Sequence, residues 1–191
     1  MQIGDFGFGS AWAKLWYSDL SPDNHKVLKG NHDLHSKEEN SPFDLGDYGT
    51  ASLGGIKFFF VRGGLSIDRV YRIGEELSGG PKTYWSQEEL DFAQMTNCLK
   101  LYKKIKPDIV LTHVPPTIFV DKIQGNKPNN ILKRFKFHDG FKENTAILGT
   151  MMLDAHIPKL WISGHHHRSY QEQIGTFRFV SLAELETYEI N

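Results

Sequence analysis

Four stretches of the chain set metal-binding or proton-handling residues directly after a short apolar run. Asp5 follows Gln2-Ile3-Gly4, and Asn31-His32-Asp33 follows Val27-Leu28 and Gly30. His113 follows Ile109-Val110-Leu111-Thr112, and His165-His166-His167 follows Leu160-Trp161-Ile162 and Gly164. Carboxylate, amide oxygen and imidazole without thiolate form the donor set of a divalent ion such as Mn²⁺, Fe²⁺, Co²⁺, Ni²⁺ or Zn²⁺ rather than Cu(I). Two such ions held roughly 3.5–4 Å apart can activate a water and clamp phosphoryl oxygens. Each stretch also has a plainer reading. His165 and His167, two apart and so pointing the same way in an extended segment, could be polar loop residues. Gly30-Asn31-His32-Asp33 could be an Asx-type turn with a surface histidine. His113 could be a structural residue at a strand end stopped by Pro115-Pro116.

The elements that must position these residues follow from the same runs. Each apolar run reads as a strand that delivers its polar residues at its C-terminal end, where open α/β sheets build their sites. Ser86-Gln87-Glu88-Glu89 reads as a capping box with Ser86 as N-cap. Phe92, Met95, Leu99 and Tyr102 follow at helical spacing until Pro107, and a second helix is expected over 144–155. Segments 56–62, 168–174 and 177–181 read as strands, the last two as a hairpin across Gly175-Thr176, and 34–52 as a long loop near the site. The pattern is α/β, with a mixed sheet or two packed sheets in one domain.

Taken in order, Asp5, Gly30-Asn31-His32-Asp33, His113 and Gly164-His165-x-His167 resemble the calcineurin-like metallophosphoesterases. That family's pattern runs D-x-H, G-D-x-x-D, G-N-H-D/E, H, G-H-x-H. The resemblance extends from Asp5 to His167, and its last three motifs are complete. It implies a two-sheet α/β/β/α sandwich and hydrolysis of a phosphomonoester or phosphodiester by a metal-bridging hydroxide. Asp5 matches the carboxylate that bridges two divalent ions, and Asn31, His113 and His165 match the other ligands of one ion. His167 matches a ligand of the second. His32 matches the histidine that contacts phosphate and protonates the leaving oxygen, with Asp33 orienting it. Gly63-Gly64-x-Ser66-Ile67-Asp68-Arg69 looks like a stretch of small phage and bacterial members, so that Arg69 or Arg72 could grip a substrate phosphate. The alternative is an Asp-Arg pair that braces a loop.

Two departures from the family pattern stand out. Phe8 occupies the position of the last carboxylate in G-D-x-x-D, and no D-x-H triplet precedes Asp5. Asp154-Ala155-His156 has the letters but falls at an expected helix end before Pro158, and is read as coincidence. The chain is therefore expected to be a single N-terminally truncated domain, 1–191, without the family's first strand and helix and with one of its two metal sites incomplete. The rival reading is a weakly active or inactive relative that binds a single metal ion as a binding or structural module. A further one has the missing strand supplied by a separate chain.

Composition bounds the partners. The hydrophobic content of 39% supports a folded core in 191 residues, and the net charge of −1 gives no global field towards nucleic acid or anionic membranes. A basic stretch, Lys127, Lys133, Arg134, Lys136 and Lys142 with Phe135 and Phe137, could face nucleic acid but reads better as a solvated face with two anchored aromatics. Gly4, Gly7 and Gly9 make no nucleotide fingerprint, and His25, His35, His138 and His156 join no constellation. The one cysteine, Cys98, excludes an intrachain disulfide and suits a reducing compartment. The longest apolar run, Phe58-Phe59-Phe60-Val61, is far short of a membrane span. A cytoplasmic protein acting on a phosphoester, without a membrane partner, is the expectation.

Overall fold

The structure, a computed structural model, describes residues 1–9, 18–35, 41–125 and 143–190. The basic stretch 127–142, with His138, lies outside them. Eight strands run in chain order as β1 (Gln2–Ile3), β2 (Val27–Leu28), β3 (Tyr48–Leu53), β4 (Ile56–Val61), β5 (Ile109–Thr112), β6 (Leu160–Ser163), β7 (Tyr170–Ile174) and β8 (Phe177–Ser181). The helices among the described residues are α1 (Arg69–Leu77), α2 (Phe92–Ile105), α3 (Thr117–Gln124) and α4 (Asn144–Ala155).

Strands β3-β4-β5-β6-β8-β7 form one sheet, with β4, β5, β6 and β8 parallel and the two edge strands antiparallel to their neighbours. Strands β1 and β2 pair in parallel as a second, small sheet. Successive side chains of a strand point to opposite faces, and the large sheet uses both. Phe59, Val61, Val110, Trp161 and Phe179 face a helical layer of Cys98 and Tyr102 from α2, Phe119 from α3, and Leu148 and Met152 from α4. Phe58, Phe60, Leu111, Ile162 and Val180 face the small sheet at Leu28 and Ile3. The expected two-sheet α/β architecture is present. Phe119 and Phe179 stack with centroids 3.8 Å apart, which anchors α3 to β8.

The registers Val61↔Thr112 and Thr112↔Ser163 bring the C-terminal ends of β4, β5 and β6 level. At that edge the two sheets are tied together. The Gly63 N–H, past β4, donates to Lys29 O, past β2, at 2.9 Å, while within the large sheet Gly164 N–H donates to His113 O at 2.9 Å. Buried Arg62, just past β4, donates to Asp47, to Gln87 O at 2.8 Å and to His35 Nδ1 at 2.9 Å. A guanidinium can only donate, so Nδ1 accepts and the His35 hydrogen sits on Nε2. From there it reaches Gly30 O at 2.7 Å. His35, which joined no constellation in the sequence, pins the turn before Asn31.

Several expectations are corrected. Segment 34–52 is not loop throughout, because Tyr48–Leu53 pairs antiparallel with Ile56–Val61 across Gly54-Gly55. Its signal was faint because an edge strand of half-exposed residues lacks a clean alternation. The capping box of α2 is Asp91–Gln94, not Ser86–Glu89. The Asp91 side chain accepts from Gln94 N at 2.7 Å, and Gln94 Oε1 accepts from Asp91 N at 2.9 Å. Glu89 instead takes the free amides of α4, accepting from Asn144 N at 2.7 Å. Helix α1 was not foreseen, since none of its residues is buried and no core periodicity marks it. His156 ends α4 against Pro107 O, in keeping with the coincidental reading of Asp154-Ala155-His156.

Two outcomes are expected. Asp91→Ala should lower stability in urea unfolding by about 0.5–2 kcal/mol, whereas Ser86→Ala, at an exposed turn, should change it by less than about 0.5 kcal/mol. Equal effects would contradict the assigned cap. Burial first, then the Arg62 charge, holds the His35 imidazole down to about 3. An unfolded chain protonates this ring near pH 6.5 while the folded one does not, so stability should fall as pH drops below about 6.5, by up to about 1.4 kcal/mol per pH unit. His35→Gln should flatten that slope. An unchanged slope between about pH 7 and pH 5 would contradict the assigned neutral ring.

Candidate metal centre

Strand β1 ends in two left-handed residues, Gly4 at φ 87° and Asp5 at φ 52°. That turn swings the Asp5 carboxylate towards the end of β5, where Asp5 Oδ1 lies 3.7 Å from His113 Nε2 and accepts the His32 amide at 3.0 Å. The approach is close enough to require glycine on both sides. A Cβ on Gly4 would fall 1.9 Å from His113 Nδ1, and one on Gly30 would fall 2.2 Å from Asp5 Oδ1.

Asp33 holds this loop in place. Its Oδ1 accepts from Gly7 N at 2.7 Å and Phe8 N at 2.9 Å, and its Oδ2 from Gly30 N at 2.8 Å and Phe6 N at 3.2 Å. With both oxygens committed to backbone amides, Asp33 organises the Asp5 loop. The expected orientation of His32 by Asp33 is not among its bonds.

Three strand ends meet at one point. Asn31 Oδ1 lies 3.0 Å from His113 Nε2 and 3.1 Å from His165 Nδ1, and the two ring nitrogens are 3.2 Å apart. The hydrogens are already assigned elsewhere. His113 Nδ1 donates to Ile3 O at 3.2 Å, which leaves Nε2 a bare lone pair. Asn31 Nδ2 donates to Ser66 Oγ at 3.1 Å, so Oδ1 faces the imidazoles. His165 is held well below the ordinary imidazole range by burial and then by the neighbouring His113, so a second ring proton is disfavoured. At most one hydrogen serves three acceptors, and a cation is the partner that satisfies all of them.

The spacing suits that role. Donors bound at about 2.0–2.2 Å to one ion stand roughly 3.0–3.4 Å apart; Asn31 Oδ1, His113 Nε2 and His165 Nδ1 are separated by 3.0–3.2 Å, and Asp5 Oδ1 lies 3.7 Å from His113 Nε2. Among the described residues no three of His, Cys, Asp and Glu make a cation site by themselves. Asp5 is burdened by burial, but His113, His32 and His167 more than offset this and hold its carboxyl below the usual range.

His167 lies near enough to act electrostatically on Asp5 and His165, but its ring is bonded elsewhere. His165 and His167 both have left-handed backbones, φ 70° and 54°, so the alternation of an extended strand does not apply. The His167 ring is half exposed and pairs with Glu184 at 2.9 Å. On the open side, Arg72 reaches His32 Nδ1 at 2.5 Å while donating to Asp68 Oδ1 at 2.8 Å and Thr83 O at 2.9 Å. Arg72 therefore braces the loop through Asp68 and Thr83, and its guanidinium also reaches His32. Arg69, three residues earlier at the start of α1, acts electrostatically on Glu89 and Tyr84.

Two buried carboxylates went unnoticed in the sequence. Glu88 accepts from Ser66 N and Ser66 Oγ, both at 2.7 Å, and burial pushes it up to about 7 against those bonds. Glu143 accepts from Leu65 N at 2.6 Å, stands 3.7 Å from His165 Nε2, and is pushed up to about 8 by burial and then by Glu89 and Glu88. The one usable signal was Gly63-Gly64. A Cβ on Gly63 would lie 2.1 Å from Glu88 O, and one on Gly64 would lie 3.1 Å from Glu143 Oε1.

Comparison with known proteins adds the lineage. The lariat debranching enzyme of Entamoeba histolytica is 34% identical over 82 residues, covering 41% of this chain and 22% of that enzyme's length. Phosphopantetheinyl hydrolase of Mycobacterium tuberculosis aligns over 95% of this chain and 88% of its own at 12% identity and a TM-score of 0.45. GAP50, the anchor in the inner membrane complex of Plasmodium, aligns over 95% and 70% at 9% identity and a TM-score of 0.39. The profile of the calcineurin-like phosphoesterases matches residues 3–169. Because that match runs from β1 to beyond β6 and takes in every strand end of the cluster, the chain belongs to the calcineurin-like phosphoesterase family.

Proposed function

We propose that this chain is a metal-dependent phosphoesterase that hydrolyses a phosphomonoester or phosphodiester at the cluster of Asp5, Asn31, His113 and His165. The observation that carries the reading is the meeting of Asn31 Oδ1, His113 Nε2 and His165 Nδ1 within 3.2 Å without hydrogens to serve them all. Family membership over residues 3–169 gives that cluster its chemistry. A divalent ion, Mn²⁺ or another of the Fe, Co, Ni and Zn group, supplies Lewis acidity and a strong nucleophile at neutral pH.

The chain's own groups do the rest. Asp33 fixes the loop that presents Asp5. The Arg72 guanidinium offers a charged donor to a phosphoryl oxygen beside His32. Because Arg72 donates to His32 Nδ1, the neutral ring carries its hydrogen on Nε2 and can donate it to a phosphoryl or leaving oxygen. Burial first, and then the Arg72 charge, favours this neutral form over the pull of Asp5. Arg69 is a further candidate for phosphate contact. A second reading, a module that holds a single ion with weak turnover, draws support from the pairing of the His167 ring with Glu184. We take cytoplasmic action on a phosphoester, with no membrane partner, as part of the same proposal. Among the described residues no helix is long and apolar enough to cross a membrane.

With Mn²⁺, the chain is expected to bind one ion per molecule tightly, and to hydrolyse p-nitrophenyl phosphate or its bis ester slowly. His113→Ala should lose more than the roughly 10–100-fold that removing an outer partner of a metal ligand costs. Undiminished hydrolysis by His113→Ala would overturn the site.

A further inference from the structure

Asn31 can serve a cation only if its amide points the right way. Oxygen and nitrogen of an amide are nearly the same size, so hydrogen bonds decide which one faces the cluster. Here the deciding bonds lie away from the site, in the loop after β4 and the turn before α2. Asn31 Nδ2 donates to Ser66 Oγ at 3.1 Å, and the Ser66 hydroxyl passes its own hydrogen to Glu88 Oε2 at 2.7 Å. Ser66 N–H donates to the other carboxylate oxygen at 2.7 Å. All three side chains are buried, with Asn31 3%, Ser66 1% and Glu88 1% exposed. Water cannot make good a wrong orientation.

We propose that Glu88 is a positioning residue which, through Ser66, sets the polarity of the Asn31 amide and keeps Oδ1 towards His113 and His165. The inference rests on the reading of that cluster as a metal site. Its logic is the direction of donation. A carboxylate only accepts, so it takes both the amide and the hydroxyl hydrogen of Ser66 and leaves Ser66 Oγ as the acceptor for Asn31 Nδ2. A glutamine in place of Glu88 has one oxygen and one NH₂. The Ser66 N–H must meet the oxygen, so the NH₂ donates to Ser66 Oγ, and the Ser66 hydroxyl hydrogen turns towards Asn31. That hydrogen is best accepted by Oδ1, which swings Nδ2 into the metal cluster. One near-isosteric change, which replaces a charged acceptor by a neutral amide, thus reverses the whole chain of donors.

The test is Mn²⁺ binding by calorimetry at about pH 8, above the range to which burial raises Glu88, so that the wild-type carboxylate is ionised. Thermal unfolding of the metal-free proteins serves as a fold control. Glu88→Gln should weaken Mn²⁺ binding about 10–100-fold, the usual cost of losing an outer partner of a metal ligand. Ser66→Ala, which leaves Asn31 Nδ2 without its acceptor, should also weaken it. An Asn31→Asp background separates orientation from mere packing, because a carboxylate presents oxygen whichever way it turns. There the added Glu88→Gln should leave affinity unchanged or raise it. Wild-type affinity in Glu88→Gln, or the same loss in the Asn31→Asp background, overturns the proposal while leaving the metal site standing. Absence of Mn²⁺ binding by the wild-type chain overturns both.

Discussion

The site is organised around lone pairs that converge with too few hydrogens between them. Asn31 Oδ1, His113 Nε2 and His165 Nδ1 come from the ends of β2, β5 and β6, and the first two have their orientation imposed from behind. Ile3 O takes the hydrogen of His113 Nδ1, and Ser66 Oγ takes one from Asn31 Nδ2. Acceptors gathered in a buried place cost free energy unless something positive sits among them. The rest of the structure can be understood as what holds that costly arrangement together.

Two sheets are needed for it. The registers of β4, β5 and β6 set their ends level, and the short β1–β2 ladder brings Asp5 and the Asn31 turn against them. The apolar faces of Phe58, Phe60, Leu111 and Ile162 press on Leu28 and Ile3, which fixes the distance between the sheets. Polar links then lock the edge, with Arg62 through His35 to Gly30 on one side and Asp33 to four backbone amides on the other. Buried polar networks of this kind specify one arrangement only when every member is satisfied. Here the backbone carbonyls and amides of the loops supply most of the partners.

Much of this was legible in the residues. The apolar runs ending in Asp5, Asn31, His113 and His165 announced strands with polar side chains at their ends, because a strand that stops at glycine or proline exposes its next side chain at the sheet's C-terminal edge. The order of those residues carried the family. What escaped notice depended on contacts distant in sequence. Glu88 sat inside letters that spelled a capping box, yet it is bonded to Ser66, 22 positions earlier. His35 looked solitary until Arg62, 27 positions on, gave it a donor. Asp33 was assigned to its neighbour His32, although three of its four amide partners lie 25–27 residues away. His167 matched a ligand of a second ion by resemblance, and its left-handed backbone shows only that the two-apart rule of an extended segment does not apply to it.

The metal site itself is tested most directly by diffraction from crystals soaked in Mn²⁺, with data collected near the manganese absorption edge. An anomalous peak within coordination distance of Asn31 Oδ1, His113 Nε2 and His165 Nδ1, with the Asp5 carboxylate turned to it, is the expected result. A cluster without such a peak, its acceptors bridged by a hydrogen on His165 Nδ1 at saturating Mn²⁺, would contradict it.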